Sequence, residues 1–248
     1  MSSITRKISL WAGATADLFL PRICPGCDER IIGREGLVCL DCLKSMEPLC
    51  NPLCPVCGAP NTPVGGTACD NCPPHPRHFT RARAATAFHP TARTLVERVK
   101  YHERTEYVPI LAEMMARVFE REFFRVPPDL LVPVPLHRVR LRERGFNQAE
   151  RLARHLGVLF NTPVAPRDAL VRIRATPSQT RLKREERAEN IRGAFEARMP
   201  EVFAGKCVLL VDDVYTTGAT LNEAAGALAV CRPDDINCIA FARTLLDD

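Results

Sequence analysis

A mostly parallel α/β domain, preceded by a small cysteine-rich domain, is the fold that this 248-residue sequence predicts. Three observations carry the prediction. Val208 to Val211 is an unbroken apolar run with no alternation, the pattern of a strand covered on both faces. Similar runs at 130–134 and 236–241 are interleaved with stretches of helical composition at 145–160 and 220–230, and strands alternating with helices build a parallel sheet. Nine of the twelve cysteines crowd between Cys24 and Cys72, a density that belongs to a bound metal or a disulfide framework rather than to an apolar core.

Arg6 and Lys7 followed by Ile8 to Leu20 superficially resemble an export signal, but the apolar stretch is short and Asp17 interrupts it. The segment 1–19 reads instead as an amphipathic helix, with Ile8, Leu10, Trp11, Leu18 and Phe19 on one face. No apolar run approaches the length of a membrane span.

Residues 20–76 form the second unit. Eight cysteines make four Cys-x-x-Cys knuckles: Cys24/Cys27, Cys39/Cys42, Cys54/Cys57 and Cys69/Cys72. The second pair of knuckles repeats the first at an offset of 30 residues, with the same eleven-residue gap inside each unit and a proline (Pro25, Pro55) at the same place. Gly58 closes one turn and Asp28 the other. Disulfides would need an oxidising compartment, and no export signal is evident. Paired knuckles suit tetrahedral Zn²⁺, each offering two thiolates from one turn. Two structural sites of Cys₄ type are expected, each contributing on the order of 10 kcal/mol of folding free energy. The duplicated spacing favours sequential pairing, Cys24, Cys27, Cys39 and Cys42 against Cys54, Cys57, Cys69 and Cys72, over a cross-braced arrangement. Cys50 is left as a spare thiol, and His75 and His78 read as linker. Pro73, Pro74 and Pro76 end the unit.

The third unit is 77–248. Arg81 to Phe88 reads as an opening strand. Thr91–Lys100 and Tyr107–Phe124 read as helices, the latter with Leu111, Met114, Met115, Val118 and Phe119 inward. Lys100 could reach the active site, but an exposed helix-end lysine is the default reading. Charge is uneven here. Residues 136–192 hold fourteen Lys and Arg against six acids, whereas the rest of the chain holds 20 basic against 23 acidic. That implies an anionic partner for this window. Arg138, Arg140, Arg142 and Arg144 alternate, a poor pattern for either helix or core, and Gly145 reads as the start of the next helix. The first half of 174–190 has no amphipathic period and reads as a loop; its second half reads as a short charged helix. Cys207, Cys231 and Cys238 read as buried thiols.

Chemistry concentrates at 206–220. The buried strand runs into Asp212 and Asp213. Thr216, Thr217, Gly218, Ala219 and Thr220 then lead into a helix. Hydroxyls and free N–H groups at a helix start cradle an anion, and Gly218 allows close backbone approach. No lysine follows the glycine, so the stretch is not the nucleotide-triphosphate loop. Paired carboxylates beside a phosphate cradle suit a sugar phosphate and can help hold Mg²⁺.

This stretch resembles the phosphoribosyl pyrophosphate (PRPP) motif of the type I phosphoribosyltransferases. The resemblance implies that Asp212 and Asp213 take the ribose hydroxyls and that Thr216 to Thr220 take the 5-phosphate. Zinc knuckles, the Arg142-Glu-Arg144-Gly-Phe-Asn-Gln148 stretch, Gln179-Thr180 with Arg187 and Asn190, and the two acids with their Thr-Thr-Gly-Ala-Thr loop together resemble the ComF family of natural competence and DNA utilisation. Membership implies a double zinc ribbon fused to a type I phosphoribosyltransferase-like domain, work on incoming single-stranded DNA in the cytoplasm, and a ribbon surface open to a competence or recombination partner. Ala219 stands where many transferases have glycine. Transfer from PRPP would need carboxylates near the sugar and cations near the leaving pyrophosphate. Asp212 and Asp213, with Arg142 and Arg144, are the catalytic candidates. Arg138, Arg140, Gln179, Thr180 and Arg187 join the two arginines as candidate contacts to pyrophosphate or nucleic acid. Arg174 to Arg181 is the candidate lid. Nothing in the sequence names an acceptor base. The competing reading is a DNA-binding protein, with Phe146 or Tyr215 stacking on bases.

Overall fold

The computed structural model describes residues 22–31, 36–60, 68–73, 75–101, 104–123, 127–175 and 189–245. The expected helix at 1–19 and most of the loop and charged helix at 174–190 lie outside them.

Four strands form one parallel sheet: β1 (Arg81–Ala87), β2 (Leu130–Pro133), β5 (Cys207–Tyr215) and β6 (Asp235–Arg243). Their spatial order is β1-β6-β5-β2, all pairs parallel. β3 (Leu170–Arg172) and β4 (Phe195–Ala197) make a small antiparallel pair beside it. The apolar run of β5 behaves as its lack of alternation predicts. Leu209 and Val211 pack into one core with α2 (Pro90–Tyr101), α3 (Val108–Glu122) and α5 (Gln148–Phe160). Val208 and Leu210 pack into the other core, with α6 (Ala219–Ala229) and the β3–β4 pair.

Both ribbons join these cores. Cys24, Ile31, Val38, Cys42 and Met46 pack with Ala92 and Leu95 of α2, and a short helix α1 (Leu40–Ser45) lies in this ribbon. Cys54, Cys57, Ala59 and Cys72 pack with the β5–β6–α6 side. The second ribbon also covers the outer edge of β1, where Ala82 N–H donates to the Val56 carbonyl at 2.7 Å.

Four readings are corrected. Arg138–Arg144 is a helix, α4, with no buried residue. Gly145 ends that helix in a left-handed conformation (φ 77°), and Asn147 caps the next, accepting from Ala149 N–H at 3.0 Å. β5 continues through the two acids to Tyr215, because β6 runs alongside that far: Asp212 pairs with Ala240 and Tyr215 with Arg243. Cys207 opens β5 at its exposed rim, while Cys231 and Cys238 are buried as expected.

Candidate active site and metal centres

At the carboxyl end of the sheet, a cleft of about 520 Å³ gathers Asp212, Asp213, Thr216 and Thr220 with Lys100, Arg140, Arg144 and Arg172. This is where parallel α/β sheets place ligands. The two carboxylates serve opposite flanks. Asp213 meets Lys100 Nζ at 2.6 Å, on the side of α2. Asp212 faces the positive charge of Arg172, which β3 carries on the other side, and accepts from Asp213 N–H at 2.8 Å. Burial first, and then the Asp213 charge, push the Asp212 carboxyl up to about 8; Lys100 pulls the other way. Lys100 therefore belongs to the site and is not an exposed helix end. Arg172 was missed because a three-residue strand leaves almost no sequence pattern.

Helix α4 explains the arginine alternation. At 100° per residue, Arg140 and Arg144 fall on one side and Arg138 and Arg142 on the other. Arg140 and Arg144 line the cleft, whereas Arg138 and Arg142 are exposed and do not. The turn after α4 holds this orientation: Arg144 donates to Gln148 Oε1 at 2.6 Å, and Asn147 Nδ2 donates to the Val134 carbonyl just past β2. The Gly-Phe-Asn-Gln stretch thus aims the arginines. Gln179, Thr180 and Arg187 lie outside the described residues, as does most of the proposed lid; Ala175, at its start, lines the cleft.

Gly218 takes φ +76° as the residue before α6, and Thr217 is buried beneath the loop. Ala219 is the first residue of the helix and does not need a left-handed backbone, so alanine fits there. Phe146 and Tyr215 are both buried, which removes them as stacking platforms. The exposed aromatic at the cleft is Tyr101, 66% accessible, with the Arg144 guanidinium 5.2 Å over its ring.

The eight knuckle cysteines fall into the two sequential sets, with all four sulfurs of each set within 4.8 Å of one another. A tetrahedron with Zn–S bonds of ~2.3 Å has edges of about 3.8 Å. The Sγ–Sγ distances of 3.8 Å (Cys27–Cys39), 3.6 Å (Cys54–Cys72) and 3.5 Å (Cys57–Cys69) fit that, and are far too long for disulfides. Backbone N–H groups of Gly26 and Cys39 point at Cys24 Sγ. Burial opposes ionisation of Cys24, but these donors outweigh it and bring the thiol down to about 7, whereas burial and the neighbouring sulfurs push Cys42 of the same set up. Cys50 is exposed and outside both sets.

Fold and cleft together define a phosphoribosyltransferase-type domain, preceded by two Cys₄ sets that fit structural zinc. Residues 15–73 match the double zinc ribbon domain and residues 110–245 the phosphoribosyl transferase domain. The chain belongs to the family of DNA utilization protein YhgH and competence protein F. It is 30% identical over 235 residues to DNA utilization protein YhgH of Salmonella typhi, covering 92% of this chain and 100% of that one. It is 28% identical over 216 residues to Competence protein F of Haemophilus influenzae (86% and 92%). It is 29% identical over 202 residues to Competence protein ComFC of Bacillus subtilis (77% and 77%). No helix among the described residues is long and apolar enough to cross a membrane.

Proposed function

We propose that the protein binds PRPP in this cleft and uses it in the handling of single-stranded DNA during DNA uptake. One observation carries the first half. The cleft has a carboxylate pair at its floor and Lys100, Arg140, Arg144 and Arg172 on its walls, beside a Gly218 loop that opens a helix. PRPP has the complementary layout: ribose hydroxyls for the carboxylates, a monoester phosphate for the loop and a pyrophosphate for the cations. Mg²⁺ carried with the pyrophosphate would neutralise its charge, and Asp212 and Asp213 are the oxygen ligands at hand. The DNA half follows the names of the relatives. Exposed Arg138 and Arg142, with Tyr101 at the cleft mouth, supply phosphate contacts and one base-stacking face. The ribbons remain available to a competence or recombination partner.

The same charges favour turnover as a second reading. Breaking the bond from ribose C1 to the pyrophosphate oxygen leaves the electron pair on pyrophosphate and positive charge on the ring. Cations on the walls stabilise the former and the carboxylates the latter. Calorimetry with PRPP and Mg²⁺ tests binding; loss of the heat in Asp212→Asn and Asp213→Asn supports it, and no heat with the parent protein sinks it. Pyrophosphate release across a nucleobase panel, with and without single-stranded DNA, then separates a working transferase from a PRPP-binding DNA protein. DNA affinity should fall steeply with salt and fall further in Arg138→Ala/Arg142→Ala.

A further inference from the structure

Tyr215 ends β5 and Arg243 ends β6; they are register partners, and each is 2% exposed. The chain turns both of them toward the second ribbon. The Arg243 guanidinium lies 4.5 Å over the Tyr215 ring. It donates through Nη1 to the carbonyl of Cys57 and through Nη2 to Cys57 Sγ at 3.5 Å. The Tyr215 ring also reaches Gly218: a Cβ at that position would strike the Tyr215 hydroxyl and lie 2.6 Å from its Cζ. That hydroxyl is buried with no hydrogen-bond partner among the described residues. A metal-ligand cysteine, a buried guanidinium, an aromatic ring and the glycine of the anion loop therefore form one continuous stack. A second tie runs parallel to it. Asn222, near the start of α6, accepts from His78 N–H at 3.0 Å and donates to the Pro76 carbonyl at 3.0 Å. The segment leaving the ribbon thus holds the helix that the loop begins.

We propose that Arg243 and Tyr215 are positioning residues that couple the second zinc site to the anion loop, so that metal at Cys54, Cys57, Cys69 and Cys72 raises the loop's affinity for a phosphate monoester. The proposal rests on reading that loop as a phosphate site. Its physical basis is the acceptor set of Arg243. Metal keeps the knuckle folded, and the folded knuckle presents the carbonyl and sulfur of Cys57. Without those acceptors a buried guanidinium does not stay in place. When it leaves, the Tyr215 ring loses one face of its packing, and Gly218 loses the ring that sets its height. Among the described residues the first ribbon shows no such stack: it is tied to α2 through Ser45 to Thr91 and Asp28 to Arg98, and the segment leaving it to β1 and α3 through Thr86 to the Glu47 carbonyl and Arg121 to the Leu49 carbonyl.

The experiment uses the full-length zinc-loaded protein, with ribose 5-phosphate as the probe. Arg243→Met and Tyr215→Leu are compared with the parent by calorimetry, zinc content and amide hydrogen exchange. The expected result is an affinity lower by about tenfold in each variant, the size of ordinary inter-site coupling. Faster exchange should be confined to residues 215–221, both zinc ions should be retained, and Arg243→Lys should fall between. Cys69→Ser, which opens the second site, should reproduce the loss; Cys27→Ser, which opens the first, should produce a smaller one. By linkage, ribose 5-phosphate should raise the zinc affinity of the second site by the same factor. Affinity within twofold of the parent in folded Arg243→Met and Tyr215→Leu overturns the proposal. So does exchange that rises evenly across the sheet, which is what a mere structural prop would give. Should the parent bind no ribose 5-phosphate, the phosphate reading fails, and exchange at 215–221 still decides the coupling.

Discussion

The two zinc ribbons share a spacing, a fold and a ligand set, and the molecule uses them differently. The copying is visible down to single hydrogen bonds: Cys24 N–H to the Glu29 carbonyl at 2.7 Å recurs as Cys54 N–H to the Ala59 carbonyl at 2.8 Å. The surroundings diverge. The second ribbon sits against buried charge. Arg83, on β1, donates to the carbonyls of Cys54, Pro55 and Ala82 and pairs with Glu122 at 3.0 Å, and Arg243 grips Cys57. The first packs apolar side chains on α2, and its ion pair to that helix is open to water, with Asp28 largely exposed beside Arg98. Identical ligation therefore does not give identical mechanical roles; the desolvation of the neighbouring charges sets how tightly each ribbon is tied to the sheet.

The largest effect that tests this contrast comes from cutting one arginine on each side. Arg83→Met removes a donor from the carbonyls of Cys54, Pro55 and Ala82, of which Cys54 keeps Gly58 N–H at 3.0 Å, and leaves Glu122 with Arg121 as its remaining partner at 2.8 Å. Breaking a buried pair costs about 3–5 kcal/mol, and the surviving Arg121 contact points to the lower end. Arg98→Met removes an exposed pair worth about 0–1 kcal/mol. Urea unfolding in the presence of zinc should show this difference. Equal losses would mean that the two ribbons are anchored alike. The same contrast bears on truncation: removing residues 1–76 would strip Arg83 of its Cys54 and Pro55 acceptors and Arg243 of Cys57, so point substitutions test the ribbons more cleanly than deletion.

A middle-sized effect is expected at the carboxylate pair of the cleft. Asp212 titrates near 8 in the folded chain against 3.8 unperturbed, raised first by burial and then by Asp213. Folded protein therefore holds a proton that unfolded protein lacks between those values. The stability contributed by this group is full below pH 3.8 and is lost as the pH rises through about 8. A ligand that needs both carboxylates ionised must expel that proton. PRPP affinity should then rise by up to about tenfold per pH unit toward pH 8 and level off above it. Lys100 lowers the Asp212 value, so Lys100→Met should move the plateau to higher pH. Calorimetry in buffers of different ionisation enthalpy counts the proton. A flat pH profile would mean that Asp212 is already ionised or takes no part.

Much of this was legible in advance, and the reasons differ by element. The strands through Leu130 and Val208 announced themselves because a strand covered on both faces cannot alternate. The cysteines announced their pairing because a duplicated spacing has one simple closure. The acid pair and loop stood out because strand, carboxylates and glycine fall in one short stretch. Helix α4 was hidden: its arginines alternate in sequence, and only the α-helical turn sorts them into an inward and an outward pair. Lys100 was left open between the site and an exposed helix end, and Arg172 was invisible, because their roles depend on which side of the sheet each element packs. Arg243, a lone charge ending an apolar strand, gave no signal in the sequence; its burial depends on the second ribbon covering the strand end.

The smallest effect expected lies in the knuckle turns themselves. Asp28 and Gly58 hold the same place in the repeat and the same left-handed backbone, φ 61° and 70°. Only Gly58 faces the sheet: a Cβ there would lie 2.8 Å from the Ala82 carbonyl oxygen, in the strand that pairs with Val56. Gly58→Asp must therefore force apart the contact that fixes the second ribbon to β1, on top of a left-handed penalty of about 1–2 kcal/mol. In Asp28→Gly the opposing terms nearly cancel. Glycine relieves that penalty but adds unfolded-state entropy and forfeits the exposed pair with Arg98. A net change within about 0.5 kcal/mol is expected there. Urea midpoints of the two swaps measured with zinc present should differ clearly. If Gly58→Asp proves as mild as Asp28→Gly, the second ribbon is held to β1 less closely than the 2.7 Å bond between Ala82 and Val56 implies.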